Sequence, residues 1–116
     1  MIKGHEKETF ELTAEEMKLA KELKRHFEAK TSENPVKAST IVDGVNNTYQ
    51  LEKKFTDVRL RKIINYYRVN GILPIISNSK GYFVSYDKKD INFMVESLEQ
   101  RAFSIFSSAN GLRKFL

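Results

Sequence analysis

The stretch Thr56–Asp87, TDVRLRKIINYYRVNGILPIISNSKGYFVSYD, decides how this chain folds. Up to Asn70 its apolar residues recur at helical spacing, and Leu60, Ile63, Ile64 and Tyr67 share one face. Val58, Arg61, Lys62, Asn65 and Val69 project from the opposite side, with Arg59 and Tyr66 on one flank and Arg68 on the other. Thr56 or Asp57 supplies the N-cap, and Gly71 is the stop signal. Beyond Gly71 the pattern turns to β. Ile72–Ser77 and Tyr82–Tyr86 are β-branched and aromatic runs joined by Asn78-Ser79-Lys80-Gly81, whose glycine accepts positive φ. Pro74 has no amide proton, which makes its strand short or places it on an edge. The stretch therefore predicts a basic amphipathic helix running into a β-hairpin with a lysine at its tip.

Charge concentrates on the same segment. Between Glu52 and Lys89 there are nine Lys and Arg (Lys53, Lys54, Arg59, Arg61, Lys62, Arg68, Lys80, Lys88, Lys89) against Glu52, Asp57 and Asp87, a net of +6. Residues 1–30 sum to zero, 31–51 give −1, and 90–116 sum to zero, so the formal +5 of the chain sits here. A localised basic surface on a helix and hairpin suits a polyanion, and nucleic acid is the usual one.

With 116 residues the chain is long enough for one core and too short for two, which predicts a single domain over 13–116 behind a flexible tail of residues 1–12. Hydrophobic content of 41% with 30% charged residues argues against wholesale disorder. The absence of cysteine excludes disulfides and thiolate metal sites and fits a reducing compartment. No apolar run is long enough for a membrane helix, and MIKGHEKETFEL lacks the apolar core of a signal peptide. The expectation is a cytoplasmic protein that uses no membrane and no cofactor.

Thr13 and Glu16 form a capping box that opens a helix fading near Lys30, with Met17, Ala20, Leu23 and Phe27 as its apolar stripe and Leu19 beside them. VKASTIVDGVNN reads as a short helix at roughly 38–45 or as a strand, the helix being preferred. Residues 46–55 are a connection, with room for a helical turn around Leu51–Phe55. Asp87 or Asp90 caps a long last helix, 88–115. There Ile91, Val95, Leu98, Ala102, Ile105, Ala109, Leu112 and Leu116 advance by alternating fours and threes, a heptad-like seam.

Helix, helix, basic helix and hairpin is the order of a winged helix-turn-helix, so the expected class is α+β with a three-helix core, a β-hairpin wing and a long C-terminal helix. The chain resembles the winged-helix proteins of phages and other mobile elements through VDGVNN, TDVRLRKIINYYRVNGILPIISNSKGYF and SLEQRAFSIFSSANGL, roughly residues 36–114. The pairing of RLRKIINYYR with PIISNSKGYFVS carries most of that resemblance. It implies double-stranded DNA binding, in transcription regulation or as a replication accessory. In such an arrangement a helix enters the major groove while the wing tip meets phosphate. The expected DNA-binding residues are Thr56, Arg59, Arg61, Lys62, Asn65, Arg68 and Lys80. The compact pattern has a short turn where this chain has ten residues before its third helix.

Blander readings stand beside these. Arg61 pairing with Asp57 or Asp87 would serve the fold, and Glu15, Glu16, Asp87 and Asp90 are explained by helix capping. With two histidines and no phosphate-loop or nucleophile-elbow motif, the chain is not expected to be an enzyme. The last helix either packs within one molecule or pairs its distal part with a second copy through Ala102, Phe103, Ile105, Phe106, Ala109 and Leu112. The alternative function is a protein-interaction module that uses this apolar helix.

Overall fold

The computed structural model describes residues 11–116. Its class is α+β, with four helices and a two-stranded antiparallel hairpin among the described residues. The order is α1 (Ala14–Glu28), α2 (Ala38–Thr48), α3 (Asp57–Val69), β1 (Ile75–Asn78), β2 (Gly81–Val84) and α4 (Lys88–Arg113). This layout is compatible with a winged-helix arrangement. The chain divides into two compact units, one through Ser85 and one of Tyr86–Leu116, so α4 is described by itself.

Both bonds of the capping box open α1: the Glu16 amide donates to Thr13 Oγ1 at 3.1 Å and the Thr13 amide to Glu16 Oε1 at 2.9 Å. The buried stripe is Leu19, Ala20, Leu23 and Phe27, with Glu16 in line and Met17 only half-buried, a correction to the expected stripe. Most of the expected tail, residues 1–12, lies outside the described residues. Within them Leu12 already packs against the core.

The ambiguous segment is helical and runs three residues beyond the expected end, through Asn46-Asn47 to Thr48. There is no helical turn at Leu51–Phe55. Instead the Asn46 side chain closes the connection: its amide donates to Phe55 O at 3.0 Å and its oxygen accepts from the Phe55 amide at 2.9 Å. That pair of bonds seats Phe55, fully buried, between the helices.

At the end of α3 the Gly71 amide donates to Arg68 O and the Ile72 amide to Tyr67 O, a Schellman stop with Gly71 at φ +62°. The first strand begins at Ile75, later than the expected Ile72, because the Ile75 amide turns back to Leu73 O around Pro74. β1 pairs with β2 from Ile75↔Val84 to Asn78↔Gly81, leaving Ser79 and Lys80 as the tip. On its other side β2 meets Val36: the Val36 and Tyr82 amides each donate to the other's carbonyl at 2.9 and 2.8 Å. β2 is thus the middle element, and β1, which begins after Pro74, is a short edge strand.

The core lies where α1, α2 and α3 meet the hairpin. Tyr67 is its centre, with its ring edge-on to Phe27 at 5.8 Å and its hydroxyl donating to Ala20 O at 2.5 Å. Burial holds the Tyr67 pKa well above the usual phenol range, so that donor persists throughout ordinary pH. α4 opens with Asp87, whose carboxylate accepts from the Lys89 amide at 2.9 Å, and ends at Arg113, two residues before the expected 115.

Candidate nucleic-acid interface

α3 leaves its core face, Leu60, Ile63, Ile64 and Tyr67, against the other helices and presents two chemically different flanks. On the α1 side, Arg59 and Lys62 are not open to a ligand. Arg59 Nη2 meets Glu15 Oε1 at 2.7 Å, Arg59 Nε meets Glu16 Oε2 at 2.8 Å, and Lys62 Nζ meets Glu16 Oε1 at 2.8 Å. Their side chains are only 14% and 16% exposed, against 62% for Arg61. The sequence places Lys62 on the outward side of this helix and Arg59 on its flank; both are instead largely buried against the glutamates of α1. Two glutamates more than forty residues upstream neutralise them.

The ionisation states follow. Burial alone would raise the Glu16 pKa, but hydrogen bonds from Lys62, Arg59 and the Thr13 amide outweigh it and bring it to about 2. Glu15 is lowered by its bond from Arg59, then by the Glu52 amide. For Arg59, burial opposes the charge, and the two glutamates more than compensate, raising its pKa further. Arg59 also donates to Lys53 O at 2.8 Å, lies over the Phe55 ring at 5.8 Å, and so clamps the long connection before α3. Glu15 reaches the same loop, accepting from the Glu52 amide at 3.0 Å. These contacts explain how an eight-residue connection, 49–56, is fixed without secondary structure of its own.

The flank on the hairpin side is more open. Arg61 is exposed and pairs with Asp57 at 3.1 Å, one turn earlier on the same helix, the partner that the fold-serving reading allowed. Exposed pairs of this kind contribute about 0.3–0.5 kcal/mol, so the guanidinium is readily diverted to a stronger acceptor. Asn65, one turn on, is half-buried. Arg68 continues the line but is engaged, donating to Ile75 O at 2.9 Å and Ser77 Oγ at 3.3 Å; it ties α3 to β1. Val58 and Val69 at the centre of the outward face are 59% and 65% exposed. Thr56 spends its hydroxyl oxygen on the Arg59 amide at 3.3 Å as N-cap, yet the residue is exposed.

Lys80 is exposed at the hairpin tip, where its amide donates to Asn78 Oδ1 at 2.8 Å. Beside it, a Cβ on Gly81 would lie 2.4 Å from Val36 O and 3.0 Å from Lys37 N. That close approach brings the exposed Lys37 to the same end of the sheet as Lys80. Sequence reasoning missed Lys37, because only the Val36–Tyr82 bridge reveals its neighbourhood.

On α4, Phe103, Ile105, Phe106 and Leu112 are all exposed, as is Ala102, while Ala109 is half-buried. Among the described residues no group of three or more His, Cys, Asp or Glu side chains could hold a metal ion, and no helix is long and apolar enough to cross a membrane. No protein-family model matches this chain, and comparisons with curated proteins and with solved structures find no match either.

Proposed function

We propose that this chain is a winged helix-turn-helix protein that binds double-stranded DNA through the outward face of α3 and the hairpin. Its role would be that of a regulator or replication accessory of the mobile-element type. The supporting observation is the open flank of α3: Arg61 and Asn65 lie one turn apart, beside a hairpin whose tip carries an exposed lysine. Arginine forms paired hydrogen bonds with guanine O6 and N7, and asparagine with adenine N6 and N7; an exposed valine such as Val58 suits a thymine methyl. Lys80 and Lys37 meet phosphates, which carry no sequence information but hold the helix in register. Arg59, Lys62 and Arg68 are then the framework that sets the angle of α3, and Thr56 is its cap.

The test is a duplex-binding titration with single variants of the folded protein. Arg61→Ala and Asn65→Ala are each expected to weaken binding to a preferred sequence by about 1–3 kcal/mol and to relax its base preference. Lys21→Ala, which removes an exposed charge from α1, should leave binding nearly unchanged. Wild-type binding by both α3 variants would contradict this reading. The exposed apolar side chains of α4 favour a second activity, association with protein, which is compatible with the first.

A further inference from the structure

We propose that α4 is the interface of an antiparallel homodimer, with its distal apolar stripe laid against that of a second copy and the two-fold axis at Ile105. The inference is independent of the DNA-binding reading.

One stripe runs the length of α4, and its exposure changes along it. Ile91 and Leu98 are half-buried and Met94 is buried, with Val95 45% exposed, whereas Ile105 and Leu112 further along the same stripe are 71% and 69% exposed. Phe103 and Phe106 widen the exposed part at 73% and 67%. So much apolar surface on one helix marks an association site.

Charge selects the occupant and its direction. Between Asp90 and Gln100 the helix holds Asp90, Glu96 and Glu99 and no basic residue; from Arg101 onward it holds Arg101, Arg113 and Lys114 and no acidic one. At helical spacing Glu99 and Arg113 both border the stripe on the flank that carries Phe106, roughly 120° and 80° round the helix from Ile105. A second copy running the opposite way sets each Glu99 against the other's Arg113, since like flanks face one another in antiparallel helices. A parallel copy has no such match.

The apolar spacing gives the same register. Leu98 lies seven residues before Ile105 and Leu112 seven after, so Leu98 faces Leu112 of the second copy and Ile105 faces its own equivalent. The small residues Ala102 and Ala109 also meet, which lets the helices approach closely. Glu99 then lies within one helical turn of Arg113 of the second copy.

The experiment uses the full chain and sedimentation equilibrium. The wild type is expected to be a dimer. Glu99→Lys and Arg113→Glu, both at exposed positions, should each weaken it by about three- to tenfold, and an equimolar mixture should restore it. Because the chain has no cysteine, Ile105→Cys should form a disulfide-linked dimer on oxidation. Leu98→Cys should do so only when mixed with Leu112→Cys. A monomeric wild type, or efficient linkage by Leu98→Cys alone, overturns the proposal.

Discussion

At Glu16 the helix cap and the ion pair draw on one carboxylate: Oε1 accepts from the Thr13 amide and Lys62, and Oε2 from Arg59. The capping role was legible in the sequence as Thr13-x-x-Glu16. The ion pairs were not, because their partners are 43 and 46 residues away and no local pattern encodes that distance. For the same reason Arg59 and Lys62 resembled ligand contacts. A burial of 2% exposure makes the carboxylate costly unless every bond is kept. Glu16→Gln should therefore destabilise the fold by about 3 kcal/mol, measured by urea denaturation at neutral pH with an unchanged m-value. Because the folded pKa lies below the unfolded one, the carboxylate stabilises the protein above about pH 4.5. That contribution declines as pH falls through the folded value of about 2. Its size is on the order of 3 kcal/mol, and the Glu16→Gln variant should lack this acid limb. A variant as stable as the wild type at pH 7 would refute the ion-pair account.

Among the elements, α3 and the hairpin were the most legible, since a capped apolar stripe, a glycine stop and two β runs about a turn are all local signals. The start of β1 was misread because Ile72, Leu73 and Ile75 have strand chemistry, while Pro74 bends the backbone among them. The connection before α3 was misread because Asn46, which closes it, resembles ordinary loop composition. Two glycines separate backbone freedom from close approach. Gly71 has φ +62° and nothing within 4 Å of a Cβ, whereas Gly81 has φ +131° and would drive a Cβ into the Val36 carbonyl. Gly71→Ala should cost about 1–2 kcal/mol, the penalty for a left-handed residue. Gly81→Ala should cost more and should selectively accelerate hydrogen exchange at the Val36 and Tyr82 amides, which the bridge protects. Equal costs, with those amides unaffected, would mean that the bridge contributes little to the fold.

For the whole molecule, the +6 of residues 52–89 overstates the charge available to a ligand. Glu15 and Glu16, outside that segment, neutralise Arg59 and Lys62. What is left is a narrower surface, centred on Arg61 and Asn65 with lysines at the hairpin end, and the proposed binding mode uses about three phosphate contacts there. The most direct test is the affinity for duplex DNA measured as a function of salt. Log affinity should fall linearly with log salt at a modest slope of about −3, as three or so displaced counterions require. Lys80→Ala and Lys37→Ala should each reduce the slope's magnitude by about one. No binding by the folded protein at low salt, or a slope unchanged in both variants, would contradict the proposal that α3 and the hairpin bind DNA.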